Sequence, residues 1–231
     1  MKETNDNLRF FPLSPNFAYM LAPTPISIKP LIDKKVNEIK ADFSKQKPYN
    51  EYLAGHIDHE YELDYPPEFH EYLGYLFSKF CDTAPFIQTL KSSMSQDKEF
   101  ILDIPNHGWI NFQQKHEYNP MHVHDGILSY VLWYKIPYTI EDETKYGAGS
   151  KEGGGRVIVD GDVDLRRNVN GQFEFIYPID VNVSSQIIPV DKSWEGTIAV
   201  FPSNLNHQVY PFYTSNDYRI TMSGNCFFHT Q

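Results

Sequence analysis

The chain has 231 residues, with 20 Lys and Arg against 30 Asp and Glu, for a formal net charge of −10. That surplus argues against a general nucleic-acid-binding surface or an anionic membrane as partner, and no run approaches the roughly 18 apolar residues needed to span a bilayer. Two cysteines, Cys81 and Cys226, and a polar start, Met1-Lys-Glu-Thr-Asn-Asp-Asn, point away from a disulfide scaffold or a secretory leader and toward a reducing cytoplasm.

Leu8 to Pro30 is mixed, with Phe10-Phe11-Pro12 and Ile26-Ser-Ile28 readable as a strand or as a docking arm whose aromatic surface would suit a homodimer contact. From Leu31 the apolar positions Leu31, Ile32, Val36, Ile39 and Phe43 follow helical spacing behind Pro30, which predicts an amphipathic helix over about 30–45. Pro66-Pro67 introduces a second stripe, Phe69, Leu73, Leu76, Phe77 and Phe80. Asp82-Thr83-Ala-Pro85 ends that helix and starts another running to about Met94. Cys81 at the end of the aromatic helix and Cys226 in a strand read as core.

Beyond Phe100 the texture changes to short β-rich runs separated by Gly, Pro, Asn and Asp. They include Ile110 to Phe112, Ile127 to Ile136, Arg156 to Val159, Phe173 to Tyr177, Gln186 to Ile188, Thr197 to Phe201, Val209-Tyr210, Arg219 to Ser223 and Cys226 to Phe228. The 16 Phe and 16 Tyr suit such a strand-rich fold. The expected architecture is mainly β with N-terminal helices (α+β): a helical region, 1–99, packed on a double-stranded β-helix, the jelly-roll or cupin-like fold, over 100–231. Thr144 to Gly155 and Arg166 to Gly171 read as loops near the barrel mouth, Glu141-Asp142-Glu143 as a solvated loop, and Gly153 to Gly155 lacks the residues of a phosphate cradle.

Chemistry concentrates in Asn119-Pro-Met-His122-Val-His124-Asp125-Gly126. Histidines two apart on an extended segment face the same side, with Cα atoms roughly 6.5 Å apart, a bite suited to one metal ion. His207, after Phe201-Pro-Ser-Asn-Leu-Asn, supplies a third nitrogen, and three such ligands leave coordination positions open as a catalytic metal needs. Asp125 is the alternative ligand, turned away by strand alternation unless Gly126 bends the chain. His56-Ile-Asp58 matches His-x-Asp literally, but beside His59-Glu60 it reads as a solvated polar run. Arg219, Thr221 and Ser223 share one strand face, and the turn-forming Thr214-Ser-Asn-Asp217 predicts a hairpin that would lay Arg219 beside His207. An Arg fork with a Thr hydroxyl next to an open metal invites a dicarboxylate.

These residues resemble the 2-oxoglutarate and Fe(II)-dependent oxygenases, closest to a group common in bacteria and tailed phages whose metal motif reads His-x-His. Five anchors carry the resemblance between Gly108 and Phe228: Gly108-Trp-Ile-Asn111; Asn119-Pro-Met-His122-Val-His124; Leu128-Ser129 leading to Trp133 and Pro137; Gly196 to Ser203 with His207; and Arg219-Ile-Thr221-Met-Ser223. The resemblance implies the jelly-roll fold, Fe(II) on His122, His124 and His207, and 2-oxoglutarate with its far carboxylate on Arg219 and Thr221. It further implies O2 as oxidant, succinate and CO2 as products, and a hydroxylated substrate, with Asn111 adding a hydrogen bond to the co-substrate. The cytoplasm in question would be bacterial, or the host's for a phage protein.

Two departures bear on substrate class. A third neutral histidine stands where many relatives carry a carboxylate, and Tyr130 follows Leu128-Ser129 where a small residue is common. Two alternatives remain open: a three-histidine cupin-type dioxygenase that uses no 2-oxoglutarate, and a non-catalytic jelly-roll binding or virion-associated protein. The prime substrate is not legible in the sequence.

Overall fold

The structure, a computed structural model, describes residues 7–93, 99–147 and 169–230. In chain order its elements are β1 (Arg9–Ser14), β2 (Phe17–Pro23), α1 (Lys29–Ala41), β3 (Glu60–Asp64), α2 (Pro67–Thr83), α3 (Pro85–Ser93), β4 (Phe100–Asp103) and β5 (His107–Gln113). There follow β6 (Asn119–His122), β7 (Leu128–Lys135), α4 (Ile140–Gly147), β8 (Phe173–Ile179), β9 (Asn182–Ile188), β10 (Thr197–Pro202), β11 (Asn206–Val209) and β12 (Arg219–Thr230). The anticipated strand at Arg156 to Val159, the Gly153 to Gly155 run, most of the anticipated mouth loop Thr144 to Gly155 and half of the other, Arg166 to Gly171, lie outside the described residues.

The strands form two antiparallel sheets. The larger has the order β1-β2-β10-β7-β12-β5-β3, with β4 joined to the far end of β12, and the smaller runs β6-β11-β8-β9. The Phe10 segment is therefore a strand that, through β2, extends the main sheet, and β3 closes its other edge. The fold is mostly β with a few helices, consistent with the expected jelly roll. No helix among the described residues is long and apolar enough to cross a membrane.

The helices fall where the apolar stripes place them. α1 buries Ile32, Val36 and Ile39, and α2 buries Phe69, Leu73, Leu76, Phe77 and Phe80. Pro lies in the first turn of α1 and opens both α2 and α3, positions where a missing N–H costs no intrahelical bond.

Period-two alternation makes the large sheet two-faced. Ala18, Met20 and Ala22 of β2, Leu128 and Leu132 of β7, Ile198 and Val200 of β10, and Ile220 and Met222 of β12 pack with the helices in one core that also holds Cys81 and Cys226. The intervening residues, Tyr19, Leu21, Val131, Trp133, Ala199 and Phe201, pack with Phe173 and Phe175 of the small sheet in a second core. On β5 and β12 this second face turns polar: Asn111, Gln113, Arg219, Thr221 and Ser223 occupy it. The space between the sheets is thus filled by side chains at one end and open at the other.

Tyr65 fixes the approach of β5 to β12. A Cβ at Gly108 or at Gly224 would run into its hydroxyl, and one at Gly108 would also meet the Ser223 carbonyl. Gly108→Ala is expected to destabilise the fold by about 3 kcal/mol, the upper part of the usual overpacking range. Thermal denaturation should then show a Tm lower by roughly 6–12 °C; an unchanged Tm would show that the strands can separate at no cost.

Candidate functional site

A cleft of about 200 Å³ opens between the two sheets at this polar end. Asn111, Trp109, Trp133, Arg219, Thr221 and Ser223 line it from the large sheet. His122, His207, Phe173 and Val209 line it from the small one, and His124 from the loop after β6.

His122, His124 and His207 present nitrogens that all lie within 4.8 Å of one another. β6 and β11 are paired with His122 directly opposite His207, which brings ligands 85 positions apart in the chain onto neighbouring strands. The His122 Nδ1 lies 2.7 Å from the Pro120 carbonyl and the His207 Nδ1 2.9 Å from the Leu205 carbonyl. A carbonyl only accepts, so both Nδ1 atoms donate and both Nε2 atoms are left as lone-pair donors. The Nε2 atoms of His124 and His207 stand 3.1 Å apart, close to the about 3.0 Å that two nitrogens 2.1 Å from one metal span at a right angle. Burial holds His124 down to about 3, with His122 adding to the effect. Burial also lowers His207 well below its usual value and lowers His122, against the Pro120 carbonyl. All three are neutral at pH 7, the form that binds a metal.

His124 is held by a polar knot. Its backbone N–H donates to the Ser203 carbonyl, Ser203 N–H donates to Ile127, and the Ser129 hydroxyl links to Ser203 and Asn225 side chains. Gly126 makes the bend at φ +89, a conformation open to Gly. Asp125 stays exposed and outside the three-histidine group, so the bend does not bring it back.

Arg219 is 1% exposed. One guanidinium nitrogen donates to the Tyr138 hydroxyl at 3.1 Å and to the Gly171 carbonyl at 3.2 Å. Tyr138 also donates to Gly171, and its ring stacks on Phe212. Gly171 has φ +69, and a Cβ there would come within 2.6 Å of the Tyr138 ring. Both partners of the guanidinium are neutral, its Nε has no partner, and no ion pair forms to it among the described residues. Thr221 sits two positions on, opposite Asn111 on β5 and Trp133 on β7. The Asn111 Oδ1 and Trp133 Nε1 are likewise buried without partners.

The anticipated hairpin does not form. β11 is flanked by β6 and β8 in the small sheet and β12 by β5 and β7 in the large one, so neither has an edge free for the other. The chain crosses between sheets through Tyr210–Tyr218, and Arg219 meets the histidines across the cleft. The Glu141-Asp142-Glu143 run is not a loop but the first turn of α4. Glu143, 1% exposed, accepts from the N–H groups of Tyr213 and Thr214 and from the Thr214 hydroxyl, and so pins the crossover. The stretch around His56-Ile-Asp58 is more than a solvated run: His56 bridges to Tyr118 beside β6, and Tyr52, Leu53, Ala54 and Ile57 line the cleft. His56 and Asp58 themselves are exposed. Tyr138, Gly171, Glu143 and this wall carried no sequence signal beyond ordinary loop composition.

A family model described as "Putative 2OG-Fe(II) oxygenase" matches residues 107–225, just over half of the chain. The chain belongs to the 2OG-Fe(II) oxygenase family. A prolyl-4-hydroxylase from Pseudomonas putida is structurally similar over 91% of each chain at 12% identity, with a TM-score of 0.47. An oxidoreductase of the 2OG-Fe(II) oxygenase family from Burkholderia pseudomallei is similar over 67% of this chain and 55% of that one, at 14% identity and a TM-score of 0.29. No curated protein matches the sequence.

At the edge of this oxygenase's cleft face, Glu60 of β3 pairs across the sheet with Asn111. It is 2% exposed, its Oε1 has no partner, and burial, then the Glu117 charge, push it up to about 8 from 4.5. The folded state therefore holds a proton there that the unfolded chain releases near pH 4.5. Stability from this group is complete below that pH, falls by up to about 1.4 kcal/mol per unit as pH rises, and levels off near pH 8. Glu60→Gln is expected to flatten the decline of Tm between pH 5 and 8 and to raise Tm at pH 8. A variant whose Tm tracks the wild type at every pH would show that the carboxyl is not held neutral.

Proposed function

We propose that the protein is a non-haem Fe(II)- and 2-oxoglutarate-dependent hydroxylase acting from a double-stranded β-helix over 100–231, against which 1–99 packs as part of the same compact unit. The observation that carries this reading is the buried guanidinium of Arg219, which among the described residues meets only neutral acceptors, in the same cleft as three bare imidazole nitrogens. A buried charge without a counter-charge is costly, and a bound dicarboxylate spanning from metal to Arg219 supplies one.

In this reading His122, His124 and His207 hold the metal, Arg219 and Thr221 take the far carboxylate of 2-oxoglutarate, and Asn111 adds a hydrogen bond. The bound Fe(II), 2-oxoglutarate and O2 supply the oxidising chemistry, which yields succinate, CO2 and a hydroxylated substrate. The chain's own residues do the rest. Three neutral ligands leave both positive charges of the metal uncompensated, which favours a dianionic co-substrate over a neutral one. Trp109, Trp133, Phe173 and Phe201 keep the inner cleft apolar, so charges there attract more strongly than in water. In this reading the prime substrate enters past Tyr52, Leu53, Ile57 and Val123, where no charged side chain lines the cleft among the described residues. Two buried free cysteines suit the reducing cytoplasm that Fe(II) chemistry requires.

The all-histidine ligand set also favours a second reading, a cupin-type dioxygenase that binds its substrate directly and uses no 2-oxoglutarate. Anaerobic titration of Fe(II)-loaded protein with 2-oxoglutarate separates the two through the visible charge-transfer band of the chelate. The band is expected in the wild type, weakened in affinity about 30-fold or more by Arg219→Gln, as loss of a charge-assisted pair implies, and absent in His207→Ala. A wild type that holds iron yet gives no band would leave the second reading in possession.

A further inference from the structure

Trp133 has a feature that neither the metal centre nor the Arg219 anchor explains. Its ring is fully buried and wedged edge-on between Phe173, at 5.8 Å and 84°, and Trp194, at 5.4 Å and 82°. The ring is therefore fixed in place, and its Nε1–H, a donor with no acceptor role, is buried without a partner. Buried indole N–H groups normally find an acceptor. The register shows which neighbours share the problem. An irregularity between Ile220 and Thr221 skips Tyr134, so that Trp133 faces Thr221 while Lys135 faces Ile220. Arg219 lies two residues before Thr221 on the same strand, and all three side chains line one cleft. Two buried orphan donors, the Arg219 Nε and the Trp133 Nε1, thus belong to one wall, beside a positive charge held from behind by Tyr138 and Gly171.

We propose that Trp133 is a co-substrate-binding residue, whose indole N–H donates to the same carboxylate that Arg219 and Thr221 receive. This inference rests on the reading of Arg219 as the 2-oxoglutarate anchor. Two neutral donors and one cation ask for an acceptor that is both planar and anionic, and a carboxylate has the lone pairs to accept from all three. Because the ring cannot move between Phe173 and Trp194, it sets a fixed depth for that carboxylate and so selects for chain length in the co-substrate.

The test uses Zn(II)-loaded protein, which is inert to turnover, and needs no prime substrate. Isothermal titration with 2-oxoglutarate should give a Kd at least 10-fold weaker for Trp133→Phe than for the wild type, with Zn(II) affinity unchanged and a larger loss for Arg219→Gln. The second measurement is made on the wild type and does not depend on any variant folding. The chain has three tryptophans, Trp109, Trp133 and Trp194, and in nitrogen-15 spectra the Trp133 indole resonance should move downfield on adding 2-oxoglutarate, further than the other two. Wild-type affinity in Trp133→Phe, or a Trp133 resonance that does not move while 2-oxoglutarate binds, overturns the proposal and leaves the Arg219 anchor standing. Zn(II)-loaded wild type that binds no 2-oxoglutarate overturns both.

Discussion

The buried guanidinium of Arg219 is the constraint around which the cleft is built. Burying a cation without a carboxylate partner is among the less favourable things a fold can do, and here several elements cooperate to hold it. β12 presents it on the inter-sheet face, Tyr138 and Gly171 accept from one of its nitrogens, and Phe212 backs the tyrosine ring. Glu143 pins the crossover whose residues supply Phe212. The remaining side of the guanidinium opens on the cleft, opposite three histidines, two of which, His122 and His207, have their tautomers set by backbone carbonyls. A positive charge on one wall thus faces three neutral imidazoles on the other.

Much of this was legible in the residues because the signals are local. Helical stripes and prolines placed α1, α2 and α3 to within a few residues, and the alternation Arg219-x-Thr221-x-Ser223 announced a polar face on an otherwise apolar strand. His122-x-His124 was readable for the same reason, since period two puts both on one side. What failed was pairing. A turn-rich stretch centred on position 213 fits a hairpin and a crossover equally well, and only the occupancy of strand edges elsewhere decides between them.

Other parts of the site have no local signature at all. Glu143 is one of three consecutive acids, and its burial follows from where residues 213 and 214 arrive after the chain has crossed sheets. Tyr52 and Ile57 belong to a polar, tyrosine-rich loop that becomes cleft wall through contacts such as the bridge between His56 and Tyr118 and the Asp58 N–H bond to Glu117. Tyr138 and Gly171 come from separate loops and acquire meaning only together, through the arginine they share. Each of these contacts joins residues far apart in sequence, whereas periodicity reports on neighbours.

The two halves of the cleft ride on different sheets: two of the histidines on β6 and β11 with the third just beyond β6, the arginine on β12. Any molecule that grips both is a crossbar. By mass action its affinity for the assembled pair of sheets becomes resistance to their parting, so an occupied cleft stiffens the open end of a sandwich whose other end is already locked by aromatic packing. Binding in the cleft and closure of the sandwich would then be one event.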